Sequence, residues 1–121
     1  MTSVRLWKEA KDLRPWAAVG QEACEHLLAQ LLHGNLLSDE ACAVVIDAAT
    51  KAVASVNFED DLGFFNSVAV YFKEGMVTLD HAVPDYGTYV LPADQLLRVL
   101  SEWRRVLLSE DPTECQLQID E

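Results

Sequence analysis

Positive charge is what this sequence has least of. Nine Lys and Arg stand against twenty Asp and Glu, a formal net charge of −11. Nucleic acids and anionic membranes both require a basic footprint on whatever binds them, so neither is an expected partner. A long apolar run is also missing. The longest candidate, residues 41–56, is interrupted by Asp47 and Lys51 and falls short of the ~20 apolar residues that a membrane span needs. Residues 1–10 carry Arg5, Lys8 and Glu9 where a signal peptide would have an apolar core. Export by that route is not expected, and a cytoplasmic location is.

The chemistry-bearing motifs are absent too. Cys24, Cys42 and Cys115 are widely spaced and form no CxxC pair, which excludes a disulfide framework and a zinc motif and leaves reduced, mostly buried thiols. The glycines stand singly, with neither GxGxxG nor a Walker pattern to cradle phosphates. No GxSxG nucleophile elbow is present. His26 and His33 are seven apart, ~10 Å along a helix, too far to hold one ion alone. Glu22 with His26 supplies half of a dimetal motif, and no second Glu-x-x-His completes it. Surface histidines, no metal and no other cofactor are expected. Asp80, His81 and Asp85 form the most catalytic-looking cluster, but neighbours in a strand point to opposite faces. A binding protein is expected rather than an enzyme.

What is present suffices for one core. Half of the 121 residues are hydrophobic, and a chain of this length forms one domain, 1–121, burying roughly two-thirds of its unfolded surface. The pattern predicts an α+β fold: an N-terminal helical hairpin, a three-stranded antiparallel meander and a C-terminal helix. Residues 1–56 are read as the helical part. A short helix is expected over 3–12, with Leu6 and Trp7 as anchors. A second follows Pro15, with Trp16, Val19, Ala23, Leu27 and Leu31 at spacings of three or four. A third runs from the N-cap Ser38 to about Ala54, burying Cys42, Val45, Ala49, Ala52 and Val56. Asn57 to Asn66 reads as a loop. Strands are expected at 67–73, 76–81 and 88–91, joined by Glu74-Gly75 and by Pro84-Asp85-Tyr86-Gly87. Pro92 opens the last helix, with Leu96, Leu100, Trp103 and Leu107 inward. Cys115, Leu117 and Ile119 alternate as an edge strand would.

The charge is divided unevenly. Residues 1–56 hold five basic and seven acidic side chains, whereas residues 57–121 hold four and thirteen. The acidic half also carries exposed-looking aromatics, giving a candidate partner-binding set of Glu59, Asp60, Asp61, Asp80, Asp85, Tyr86, Tyr89 and Asp94. Tyrosine brings contact area with a polar tip, and the acids would steer a basic protein. Phe64 and Phe65 are expected in the core.

The stretch DDLGFFNSVAVYFKEGMVTLDHAVPDYGTYVLPADQLLRVLSEWRRVLL, residues 60–108, resembles the C-terminal half of small bacterial immunity proteins, the antitoxins of contact-dependent growth-inhibition and other polymorphic toxin systems. The likeness lies in a β-hairpin, an acidic turn, a short strand and a terminal LPADQLLRVLSEW helix. It implies tight binding to a cognate toxin domain, a basic nuclease, with its active site occluded. The implied contact acids are Asp60, Asp61, Asp80, Asp85 and Asp94, with Tyr86 or Tyr89 as anchor, and the free protein would be a monomer. The alternative is a secretion chaperone or adaptor that holds an extended protein segment in an apolar groove, as a dimer.

Overall fold

The chain opens as a strand. In the computed structural model, which describes all of residues 1–121, β1 (Thr2–Lys8) leads to β2 (Trp16–Val19) and a 3-10 turn at Gly20–Glu22. A short helix α1 (Leu27–Gln30) continues into a π-turn, Leu31–Asn35, and then comes α2 (Asp39–Ala54). The second half holds β3 (Asp60–Phe64), β4 (Val68–Lys73), β5 (Met76–His81), a 3-10 turn at Pro84–Tyr86, β6 (Thr88–Pro92), α3 (Ala93–Leu107) and β7 (Thr113–Ile119). The strands form two antiparallel sheets, ordered β2-β1-β7 and β3-β4-β5-β6.

This corrects the expected architecture. There is no N-terminal helical hairpin followed by a three-stranded meander; strands from both ends of the chain build one sheet, and the second sheet has four strands. Residues 1–56 are therefore not a helical part. Thr2–Lys8 alternates, with Val4, Leu6 and Lys8 buried and Ser3 and Arg5 exposed, and β7 pairs with it along its whole length, from Thr2↔Ile119 to Lys8↔Thr113. That ladder pairs one edge of β1 along its whole length and β2 pairs the other over Val4–Trp7, in a segment too short to be a stable helix alone. The helix expected from Pro15 is broken where Gly20 and Ala23 take positive φ of 55° and 54°. Ala17 and Val19 are instead the inward residues of β2. Leu27, Leu28, Leu31 and Leu32 still reach the core through α1 and the π-turn. The expected loop 57–66 contains β3, an edge strand whose register shifts at a bulge between Asp61 and Gly63.

Other elements match the local pattern. Ser38 caps α2 by accepting from the Ala41 N–H at 3.1 Å, and Cys42, Val45, Ala49 and Ala52 are buried. Val56 lies beyond the helix end and is exposed. Burial first, and Asp39 second, push the Cys42 thiol up to about 11, so it is an inert core group.

Helix α3 touches both sheets and α2. Its inward side chains Leu96, Val99, Leu100, Trp103 and Val106 are buried, and the Trp103 indole N–H donates to the Leu36 carbonyl at 2.8 Å. Two polar residues tie the sheets to this core. Lys8, only 7% exposed, donates from Nζ to the carbonyls of Leu107 and Ser109, both at 3.0 Å, and so closes the C-terminus of α3. Asn35 Oδ1 accepts from the N–H groups of Asn66, Ser67 and Val68 at 2.8, 2.8 and 3.1 Å, which fixes the entry into β4.

Candidate functional site

The four-stranded sheet buries one side and leaves the other open. Val68, Val70 and Phe72 of β4, Val77 and Leu79 of β5 and Leu91 of β6 are buried. Their alternates make the open side. Pairing aligns these in rows across the strands: Phe64, Ala69, Asp80 and Thr88 form one row, and Asp61, Tyr71, Thr78 and Val90 the next. Because Ala69 is small, the centre sinks into a depression of about 560 Å³ floored by Ala69 and Thr78, walled by Phe64 and Tyr71, and flanked by Asp61 and Asp80.

The sequence places acids on this face through turn geometry as much as pairing. The Asp61 carboxylate accepts from the Gly63 N–H at 2.9 Å, spanning the bulge that turns Phe64 outward. Asp80 accepts from the Thr88 hydroxyl across the β5–β6 pair. Glu59 accepts from the Tyr71 hydroxyl, and that bond, ahead of slight burial and the neighbouring Asp61 and Glu74, raises the Tyr71 pKa. The site is a field of negative charge with dipolar contacts only.

None of the acids of that field is in an ion pair, and the one cation on this side of the sheet is Lys73, exposed at the end of β4. Of the nine basic side chains, all but Lys73 are engaged elsewhere. Arg5 pairs with Glu114, Lys11 with Glu110, Lys51 with Asp47, Arg104 with Asp39 and Arg105 with Glu102. Lys8 and Arg14 bind backbone carbonyls, and Arg98 holds Gln95 and the Gln118 carbonyl. None of these ion pairs uses Glu59, Asp60, Asp61, Asp80, Asp85 or Asp94.

The eight residues singled out in the sequence fall in five places. Glu59, Asp61 and Asp80 belong to the open face. Asp60 pairs with Phe72 and so turns to the opposite side at the sheet edge. Asp85 and Tyr86 sit in the β5–β6 turn, where the Tyr86 ring stacks on His81 at 4.3 Å. Tyr89 points inward beside His26, edge to face at 4.3 Å, and its hydroxyl is enclosed without a hydrogen-bond partner. Asp94 lies in the first turn of α3, beside β7 rather than the open face.

Two expectations are overturned here. Phe64 is 58% exposed, because the bulge rotates it away from the core, whereas Phe65 packs against it. His26 and His33 are buried, not surface groups. His26 caps α1, its Nδ1 accepting from the Leu28 N–H at 3.1 Å, and His33 Nδ1 lies 3.1 Å from the Ala17 carbonyl. Tyr71 was missed, although the alternation of β4 already put it opposite the buried Val70 and Phe72. Glu22 and His26 were weighed only as half of a metal motif and Glu25 not at all; only the tertiary fold brings the three to Asp85 and Tyr86.

Asp80 and His81 are engaged separately, Asp80 by Thr88 and His81 Nδ1 by the Val83 N–H at 2.9 Å. No group of three His, Cys, Asp or Glu side chains stands close enough to hold a metal ion, and no helix is long and apolar enough to cross a membrane. Comparison of the chain with protein-family models, with curated proteins and with solved structures finds no match.

Proposed function

We propose that this chain is an immunity protein: it works in the bacterial cytoplasm by binding and inhibiting the basic domain of a cognate toxin, a nuclease, and covering its active site. One observation carries the reading. The open face gathers Glu59, Asp61 and Asp80 around an aromatic-walled depression with no ion pair among them, Lys73 at the end of β4 being the one cation on that side, while the other eight basic side chains are committed elsewhere. Uncompensated like charge opposes the compact state and speeds encounter with an oppositely charged surface. The depression would receive a protruding side chain of the partner, with Phe64 and Tyr71 supplying contact area.

Co-expression of the chain with the toxin domain encoded beside its gene should restore growth and yield a complex that weakens as salt rises. No rescue and no complex would sink the proposal.

A secretion chaperone or adaptor is the second reading. It is favoured by the groove of about 620 Å³ between α3 and the edge strand β7, lined by Leu97, Cys115 and Leu117, which would suit an extended segment. An obligate dimer of the free protein in light scattering supports this alternative; a monomer supports the immunity protein.

A further inference from the structure

Beside the open face lies a second concavity, of about 330 Å³, between the Glu22–Glu25 turn and the β5–β6 turn. Its rim carries the exposed carboxylates of Glu22, Glu25 and Asp85, none of them in an ion pair. Its wall contains a donor from which no other group of the protein accepts. His26 is 8% exposed, and its Nδ1 accepts from the Leu28 N–H. The neutral ring therefore carries its proton on Nε2, which has no partner in the protein. Burial lowers the His26 pKa, against the opposing pull of Glu22 and Glu121, and so favours this neutral form. The Tyr89 hydroxyl is enclosed behind the ring, also without a partner; burial and then the nearby Glu121 carboxylate keep it protonated. Tyr86, more than half exposed, supplies an aromatic side wall.

These groups select a ligand. Carboxylates on the rim repel anions. A neutral amide would accept from Nε2–H and leave the charge unanswered. A bare cation would answer the charge and leave the Nε2–H of His26 to water. A residue bearing a planar cation and its own carbonyl meets both needs, and a guanidinium also bonds carboxylates in a bidentate fork and stacks on tyrosine.

We infer that this cleft is the receptor for one arginine residue of the basic partner, its guanidinium on the Glu22, Glu25 and Asp85 carboxylates and its peptide carbonyl on His26 Nε2–H. The inference rests on the proposed function and names which partner residue the surface reads.

The test is an NMR titration of the whole chain with N-acetyl-arginine-N-methylamide, observing the His26 ring and the backbone amides of residues 22–26 and 85–89. Saturable shifts in both sets are expected. The citrulline counterpart, which keeps the carbonyl and loses the charge, should bind about fivefold more weakly. Butylguanidinium, which keeps the charge and loses the carbonyl, should shift the amides and leave the His26 ring unmoved. Combining Glu22→Gln with Asp85→Asn should weaken arginine binding by about the same factor, with the rest of the spectrum unchanged. No saturable shift, or equal binding of the citrulline compound, overturns the inference.

A complex with the toxin domain separates the two proposals. If Glu22→Gln with Asp85→Asn leaves its affinity unchanged while Asp61→Asn with Asp80→Asn weakens it, the arginine receptor falls and the immunity reading stands. If no complex forms at all, the immunity reading falls, and the titration still reads the cleft directly.

Discussion

The two sheets each turn one side to solvent and treat it in opposite ways. On the three-stranded sheet, Trp7 and Trp16 face each other across β1 and β2. Arg5 lies over Trp7 and Arg14 over Trp16, each 4.2 Å from the ring centroid. Arg5 also pairs with Glu114, and Arg14 binds the His33 carbonyl. Every cation there has an acid, a carbonyl or an aromatic face. On the four-stranded sheet the acids have hydroxyl and amide donors, and Lys73, the one cation on that side, is in no ion pair with them. The ion pairs of one surface are closed within the molecule, and the acids of the other are in none. The contrast places the proposed binding face more sharply than the overall charge does, since an acidic protein with evenly matched pairs would have no such face.

The comparison presupposes that both faces belong to one cooperative unit, and Trp103 is where that is most strongly tested. Its side chain is wholly buried in the helix that touches both sheets. Trp103→Ala should cost about 3–5 kcal/mol and leave the Leu36 carbonyl without its 2.8 Å donor. Urea unfolding followed by the fluorescence of Trp7 and Trp16 should coincide with loss of amide protection in β4 and β5. Two separate transitions would show that the sheets are independent and would break the comparison.

Smaller effects should come from the two polar ties, one for each sheet. Lys8→Met removes two charge-assisted bonds to the end of α3 and should cost about 2 kcal/mol. Asn35→Ala releases three N–H groups at the entry to β4 and should cost ~1–2 kcal/mol. Hydrogen exchange distinguishes them: Lys8→Met should loosen β1 and β7 first, and Asn35→Ala should loosen β3 and β4 first. Uniform loosening by both would show that these side chains do not act on their own sheets.

Acid should weaken both regions, because each has one buried histidine. His33 lies 5.0 Å from the Trp16 ring and His26 lies 4.3 Å from Tyr89. Burial, the largest cause in both, lowers their pKa values from 6.5. Below 6.5 the unfolded chain therefore binds more protons than the folded one. Stability is at its full value above 6.5 and is lost as pH falls through 6.5 toward the folded values. Thermal unfolding across this range, with NMR titration of both rings, should give midpoints below 6.5. Partner binding should move the His26 midpoint and leave that of His33 in place. A midpoint at or above 6.5 for either ring would contradict its burial.

Local pattern revealed the elements whose partners are near in sequence and misled where the partner is distant. The β4–β5 hairpin was legible because the alternation of 68–73 and 76–81 brackets Glu74-Gly75, both at positive φ. Helices α2 and α3 were legible from apolar spacing, with the Ser38 cap marking the start of α2 and Pro92 that of α3. By contrast, β1 depends on β7 at the far end of the chain. The alternation of Cys115, Leu117 and Ile119 was visible, but nothing nearby said what they would pair with. The residues Trp16, Val19, Ala23, Leu27 and Leu31 satisfy helical spacing by coincidence, and the positive φ at Gly20 and Ala23 ends that run. Asp60, Asp61 and Gly63 disfavour a strand, yet pairing with β4 overrides them. For the candidate site, the charge count pointed to residues 57–121, the half that contains the open face. It could not show that Asp61 and Asp80 share a face while Asp60 and Asp94 do not, since that depends on one bulge and on strand register.

The smallest effect on stability should discriminate best between the two faces, because its sign differs between them. Asp61→Asn with Asp80→Asn keeps the shape of both side chains and can keep the bond from Thr88, while removing two like charges from an unpaired field. Stability should stay within about 0.5 kcal/mol of the parent or rise slightly, and affinity for the toxin domain should fall and lose part of its salt dependence. Arg5→Gln on the other face removes a charge that Glu114 and Trp7 both use. It should lower the unfolding temperature slightly and leave partner affinity unchanged. Unfolding curves and calorimetric titration on the same samples measure both effects. If neutralising the acids destabilised the fold while Arg5→Gln weakened the complex, the roles assigned to the two faces would have to be exchanged.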